Sequence, residues 1–414
     1  MCGLLVFRGK GDNSRIRLRG QDHTNEVKMG GLTFIHNLLS VTGEFTPQPY
    51  VDGDIVCLYN GEIYNHKYAR SDGEVLIPLY RERGPLFAID LDGEFAIALY
   101  DFKEGIAVFA TDPFGTKPLF VNGVECGSYR SGVGGERLKA NHVRVVRLSD
   151  GSAVLGSDAA HRWNFDHQVI DSYDPWIEAF DGAVAKRARA GCFLGLSSGY
   201  DSGAIACSLL KTNVDFKAYA FRGRETTSVL DARLALVRDY ELFAPDPAAK
   251  ARMVELFKPA DNEKYSIYYD NQETTMRLLD DGGMFGVATY SRLAHEEGRK
   301  VALSGQGSDE ILSDYSLFPK QSQFKGTFPS RLTRWRNFNE GCQESYLLKE
   351  EYAGGAFNIE TRYPFLDRAL VQAFLDLTTG AKNRYYKAPL REYLVRHEFP
   401  YQDGVKIGFS VELK

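Results

Sequence analysis

The hydrophobic pattern changes character once along this chain, and that change constrains the fold more than any other feature. Up to about residue 150 the apolar runs are strand-sized: Gly3–Phe7, Leu32–Ser40, Ile55–Tyr59, Phe95–Tyr100 and Ala107–Ala110, with Gly, Asp and Asn clustered between them. Runs of this length and spacing predict a layered β unit. One stretch, Glu74–Arg83, places Val75, Leu76 and Leu79 at helical spacing and would cover a sheet face. From about residue 175, short strands alternate with longer helical patterns. Helices are expected over Pro175–Ala190, Ala204–Lys211 and Thr289–Glu297, and strands over Cys192–Leu196, Phe216–Phe221 and Lys300–Leu303. Such alternation predicts an α/β domain with a doubly wound parallel sheet. The polar, aromatic stretch 151–175 has no clear period and reads as a linker between domains 1–150 and 176–414.

The 414 residues suffice for two or three cored domains. A net charge of −5 gives no basic field, so neither nucleic acid nor an anionic membrane surface is expected as a partner. No apolar run approaches the roughly 18 residues that span a bilayer, and the N-terminus lacks a signal-peptide layout, so a cytoplasmic protein is expected. The six cysteines form no CxxC or metal-ligand spacing, which argues for reduced thiols and against zinc. Cys57, Cys192 and Cys207 lie in apolar runs and read as small core residues.

Cys2 differs. Loss of the initiator Met would leave its thiol beside its own α-amino group, a self-contained nucleophile and base, since the amine titrates near pH 8. Chance placement of a Cys at position two is the plain alternative. Downstream, Asn60 and Gly61 follow the strand Ile55–Tyr59 and could offer a side-chain amide and a backbone N–H to one oxyanion. Asp72 opens a helical pattern and would serve equally as an N-cap.

In the second half, the apolar strand ending Leu194-Gly195-Leu196 runs into Ser197-Ser198-Gly199-Tyr200-Asp201-Ser202-Gly203 and then a helix. A Ser/Gly loop between a strand and a helix start is a polyphosphate cradle, with N–H groups, hydroxyls and the helix dipole facing the anion. It is not a Walker loop, because the GK[ST] element is missing. A second strand end reads Leu303-Ser304-Gly305-Gln306-Gly307-Ser308-Asp309-Glu310, and ligands of open α/β sheets bind at that edge. Both loops also read as ordinary capped turns.

Taken together, these stretches resemble the asparagine synthetase family. Residues 1–119 resemble its class II glutamine amidotransferase domain, through Met1-Cys2-Gly3, Arg19-Gly20-Gln21-Asp22, His36–Ser40, Asn60–Asn65, Ser71–Val75, Leu91–Phe95 and Asp112–Leu119. The loop at Ser197–Gly203 is similar to the SGGxDS pyrophosphate loop, Ser304–Glu310 to SGEGSDE, and Glu360–Asp367 to E-x-R-x-P-F-L-D. The resemblance implies an N-terminal-nucleophile αββα sandwich followed by an ATP-pyrophosphatase domain. It also implies that Cys2 attacks the glutamine amide, that Asn60 and Gly61 form the oxyanion hole, and that Glu62 and Asp72 hold the glutamine ammonium. Leu196, Ser197, Gly199, Asp201, Ser202, Ser304 and Gly305 would then bind ATP and pyrophosphate, Asp201 and Asp309 would hold Mg²⁺, and Lys387 would face the α-phosphate, although it also reads as a surface lysine. Arg362 has a structural or a phosphate-facing role.

Five positions depart from the family pattern, one of them Gln21, where Pro is common. Leu38 stands where an Arg usually pairs with the glutamine α-carboxylate, with Arg19 and Lys28 as nearby cations that could substitute. Ser198 replaces Gly, Gly203 replaces Ser, and Gln306 replaces Glu. The family's C-terminal extension is missing, and Val405–Ser410 reads as a remnant of its last motif. The implied substrates are glutamine, ATP and aspartate, with a homodimer as the expected assembly. Another carboxylate, as in a tailoring amide or lactam synthetase, and a catalytically silent regulatory relative are the alternatives. Retention of Cys2, Asp201, Asp309 and Lys387 argues against the last.

Overall fold

The computed structural model describes residues 1–157, 161–223, 225–243, 247–258, 264–269, 272–277, 281–312 and 327–405. Residues 406–410, most of the expected C-terminal motif remnant, lie outside this set. The chain divides into one unit of Met1–Arg162 with Leu347–Glu360, and another of Trp163–Tyr346 with Thr361–Lys414.

The first unit contains twelve strands among the described residues: β1 (Gly3–Phe7), β2 (His23–Met29), β3 (Leu32–Leu38), β4 (Tyr50–Asp52), β5 (Ile55–Ile63), β6 (Gly93–Asp101), β7 (Ile106–Thr111), β8 (Phe120–Asn122), β9 (Glu125–Gly127), β10 (Glu136–Arg137), β11 (Val143–Arg147) and β12 (Ala153–Ser157). They form two six-stranded sheets, in the orders β10-β8-β9-β1-β3-β2 and β12-β11-β7-β6-β5-β4. Strand alternation decides what each sheet face buries. Val56 and Leu58 of β5, with Ala98 and Tyr100 of β6, pack against Leu4, Val6 and Phe34 of the first sheet. On the opposite face Cys57, Tyr59, Ile97 and Leu99 pack under Leu76, Ile77, Leu79 and Tyr80 of helix α1 (Leu76–Arg83). Strand β5 is thus buried on both faces, which is why Ile55–Tyr59 reads as an unbroken apolar run.

Two sequence expectations are corrected in this unit. Asn60 and Gly61 do not follow strand β5 but lie within it: the ladder continues to Ile63, with Asn60 opposite Ala96, Gly61 opposite Phe95 and Glu62 opposite Glu94. Polar side chains do not stop a ladder whose bonds are made by backbone groups. The stretch 151–175 is also not wholly a linker, because β12 pairs with β11 and the Asn141 side chain is bonded to both the N–H and the carbonyl of His161, at 2.6 and 2.8 Å.

A short helix α2 (Arg130–Val133) completes the first unit's numbered elements, and α9 (Cys342–Gly355) runs across the division between units. The second unit carries α3 (Asp174–Arg187), β13 (Cys192–Gly195), α4 (Tyr200–Lys211), β14 (Phe216–Phe221), α5 (Thr227–Leu234), β15 (Asp239–Phe243), α6 (Pro247–Phe257), β16 (Lys264–Tyr269), β17 (Gln272–Arg277), α7 (Gly282–Glu296), β18 (Val301–Leu303), α8 (Ser308–Ile311), α10 (Arg368–Asp376), α11 (Thr379–Lys382) and α12 (Ala388–Arg396). Its sheet runs β15-β14-β13-β18 and ends on a short strand, Glu360–Arg362. The pairings β14–β15, β13–β14 and β13–β18 are parallel, as the strand–helix alternation predicts. Phe193 and Gly195 face Tyr290 of α7, while α3, α4 and α12 pack on one another. Among the described residues no helix is long and apolar enough to cross a membrane, and all six cysteines are buried and free.

Candidate active sites

In the first unit, Cys2 immediately precedes β1 and lines an open-mouthed cavity together with Leu38, Gly61, Glu62, Asp72 and Glu360. The Cys2 thiol donates to the Leu39 carbonyl at 3.8 Å. Burial pushes its pKa up to about 11, against the lowering pull of the neighbouring N-terminal ammonium. Burial also pulls the Met1 ammonium down to about 6. An amine so poised is a competent base for a thiol, but with Met1 in place it belongs to the wrong residue. Met1 itself is fully buried, its sulfur accepting from Arg19 at 3.2 Å.

Gly61 has a φ of +143°, and a Cβ there would lie 1.8 Å from the Glu94 carbonyl oxygen, so no side chain fits. Asn60 is fully buried and neither atom of its amide has a partner, the state expected of a donor awaiting an oxyanion; it does not itself line the cavity. Glu62 accepts from the Thr42 hydroxyl at 2.8 Å. Asp72 is not the cap of its turn: Ser71 caps it in a capping box with Glu74, leaving the Asp72 carboxylate free to accept from Tyr59 Oη and Ile63 N–H at 2.8 Å each. Burial raises the Asp72 pKa, with those bonds opposing it.

Neither cation expected to replace the missing arginine does so. Arg19 is fully buried, donating to Glu351 Oε2 at 2.7 Å, to Tyr129 Oη at 2.8 Å and to the Cys2 carbonyl at 3.0 Å. Lys28 is largely exposed and pairs with Glu26. Sequence reasoning missed Glu360 as a cavity residue; its signal is the acid that opens the E-x-R motif.

In the second unit the two loops meet. Lys387 Nζ lies 2.6 Å from Asp201 Oδ1, 2.8 Å from Asp201 Oδ2 and 2.6 Å from Asp309 Oδ1. Ser308 Oγ donates to Asp201 at 2.7 Å. Lys387 is thus no surface lysine; it is buried, in left-handed conformation at the start of α12. The hydroxyls of Ser197 and Ser202 are 2.8 Å apart, Gly199 N–H donates to Ser197 Oγ, and Leu196 N–H is bonded to the Tyr219 carbonyl. Ser304 N–H bonds the Arg362 carbonyl, and a Cβ on Gly305 would press on Asp201 at 3.0 Å. Arg362 donates to the Arg187 carbonyl at 3.1 Å.

Two residues that the sequence did not single out explain the altered loop. Ser198 bonds Glu225 through both its N–H and its hydroxyl. Arg233, fully buried, donates to the carbonyls of Ser197, Gly199 and Pro400. A Cβ on Gly203 would meet the Arg233 guanidinium at 2.4 Å, so Gly at 203 and Arg at 233 go together.

A glutamine amidotransferase domain family matches residues 9–142, and the asparagine synthase family matches residues 273–350. Relatives extend over nearly the whole chain. The "Probable asparagine synthetase (glutamine-hydrolyzing)" of Dictyostelium discoideum is 24% identical over 98% of this chain and 82% of its own length. The asparagine synthetase (glutamine-hydrolyzing) of Asparagus officinalis is 26% identical over 97% of this chain and 75% of its own. This chain carries a glutamine amidotransferase match followed by an asparagine synthase match, and is similar over most of its length to glutamine-hydrolysing asparagine synthetases. Both family matches occur in the order of the two units, and the asparagine synthetase match includes the Ser304–Asp309 loop. A solved NMN synthetase from Francisella tularensis covers 57% of the chain at 12% identity with a TM-score of 0.26, a likeness too slight to argue from.

Proposed function

We propose that the protein is a glutamine-dependent asparagine synthetase in which the first unit is an N-terminal-nucleophile amide hydrolase and the second an ATP pyrophosphatase. The observation that carries this reading is the meeting of Asp201, Asp309 and Lys387 at one point of the second unit, in a chain whose other unit presents Cys2 to a cavity.

Removal of Met1 exposes the Cys2 amine; because Met1 is buried, excision precedes folding. The amine takes the thiol proton, and sulfur attacks the side-chain carboxamide of glutamine. The tetrahedral oxyanion is met by the Gly61 N–H and the unpartnered Asn60 amide, and ammonia leaves as the thioester forms. Water then hydrolyses the thioester. Glu62 and Asp72 receive the substrate ammonium. In the second unit Leu196, Ser197, Gly199, Ser202, Ser304 and Gly305 cradle ATP. The aspartate β-carboxylate attacks the α-phosphorus and pyrophosphate leaves. Ammonia then attacks the acyl adenylate and AMP departs. Lys387 opposes charge building on the α-phosphate.

Asp201 and Asp309 are hard carboxylates of the kind Mg²⁺ takes, drawn together here on the Lys387 ammonium, and they would hold the ion with phosphates and water completing the shell. Bound there, the ion would neutralise phosphate charge. The test is AMP and pyrophosphate formation from ATP across a panel of carboxylic acids with ammonia supplied. Aspartate-dependent AMP and asparagine are expected. AMP with a different acid alone would move the acceptor to a tailoring substrate, and none with any acid would remove the synthetase reading.

A further inference from the structure

Apart from the N-terminal ammonium, which lies 3.6 Å from Glu360, the charge around Cys2 is one-sided: Glu44, Glu62, Asp72 and Glu360 line the cavity and, among the described residues, no Lys or Arg side chain does, while Leu38, 6% exposed at the end of β3, supplies apolar surface. The Arg19 guanidinium is committed to Glu351 and Tyr129, and Lys28 points to solvent. An ammonium entering this cavity meets acceptors. A free carboxylate entering with it meets like charge and a leucine, with no side-chain countercharge among the described lining residues to replace its water. Yet the cavity is open, so a substituent beyond the α-carbon is not excluded by closure.

We infer that the amide donor of this chain is a glutamine whose α-ammonium is free and whose α-carboxyl is masked in an amide linkage, as at the N-terminus of a peptide, and that Leu38 sets this preference. The inference rests on the proposed amide-cleaving role of Cys2. The chemistry is unchanged: sulfur attacks the side-chain carboxamide, ammonia leaves, and water hydrolyses the thioester to a free γ-carboxylic acid, a glutamate whose α-carboxyl stays in its amide linkage. Only the group beyond the α-carbon differs, and Leu38 presents it with an apolar contact rather than a salt bridge.

The test measures ammonia release from L-glutamine, from glutamine α-N-methylamide and from N-acetylglutamine, with the full-length protein and its Cys2→Ala variant as background. The N-methylamide is expected to exceed glutamine by about tenfold or more in kcat/KM, the scale of one unscreened charge contact. N-acetylglutamine, with a carboxylate and no ammonium, is expected to be inert. Leu38→Arg is expected to reverse the order of the first two. Glutamine cleaved as fast as its N-methylamide by the unaltered protein overturns the inference while leaving Cys2 as the nucleophile. Cys2-dependent release from none of the three overturns the amide-cleaving role itself, and the inference with it.

Discussion

In the second unit two carboxylates share one buried lysine, Asp201 and Asp309 each within 2.6 Å of Lys387 Nζ. In the first, four carboxylates line the Cys2 cavity with no lysine or arginine side chain among its described lining residues, while the buried cations Arg19 and Lys117 are spent on Glu351. Under the proposed function, the difference follows from what each site would hold. A site for a metal-bound polyphosphate needs both signs, since phosphate and metal demand opposite partners. A site for an ammonium needs one sign only. On that reading the Arg19–Glu351–Lys117 charges of the first unit are structural and its cavity acids functional, whereas in the second unit the paired charges are the site.

Glu351→Ala probes the structural side of that contrast and should have the largest effect. It removes the buried carboxylate that Arg19 and Lys117 share, which costs on the order of 3–5 kcal/mol. Chemical denaturation should show the loss, and a change below 1 kcal/mol would mean that the pair is solvated. Lys387→Met probes the functional side. AMP formation should fall by about 10²–10³-fold, while Cys2-dependent ammonia release stays as it was. A parallel fall in both rates would break the separation of the two sites.

A third experiment asks whether the second unit also holds purely structural charge. Burial works against the Asp367 carboxylate and is outweighed by Arg187 and Lys186, both at 2.9 Å, which hold it at about 2. A carboxylate depressed in the folded state stabilises above its unfolded pKa, and that contribution is lost as pH falls toward the folded value. About 2 kcal/mol should disappear between roughly pH 4 and pH 2, and Asp367→Asn should flatten that slope. The smallest effect is expected from Gly203→Ala, about 1 kcal/mol, because Arg233 must shift off its loop carbonyls. Pairing it with Arg233→Ala should recover part of the loss at position 203 if the two residues compensate.

Much of the architecture was legible from pattern. β14 spans Phe216–Phe221 as expected, and β1 matches Gly3–Phe7, because each is a short apolar run between turn residues. The extension of β5 through Asn60–Ile63 was not, since polar side chains hide a ladder made by the backbone. The start of α4 at Tyr200, four residues before Ala204, was hidden in the same way by Asp201, Ser202 and Gly203. Of the site, the motif residues were readable: Gly61, Glu62 and Asp72 line one cavity with Cys2, and Asp201 and Asp309 both contact Lys387. What was not readable is what lies far along the chain: Arg233 under the Ser197–Gly203 loop, Glu225 on Ser198, and Glu360 beside Cys2. No local pattern connects residues 36 or 358 positions apart. The same limit left Arg19 and Lys28 open as replacements for the missing arginine until their partners were seen.

The central claim is that nitrogen freed at Cys2 is the nitrogen used in the ATP-dependent step. Pyrophosphate release from ATP and aspartate, driven either by a glutaminyl carboxamide or by ammonium chloride, tests it in one experiment with Cys2→Ala. The account predicts that the variant loses carboxamide-driven release and keeps ammonium-driven release. Carboxamide-driven release that survives the loss of the thiol would contradict it.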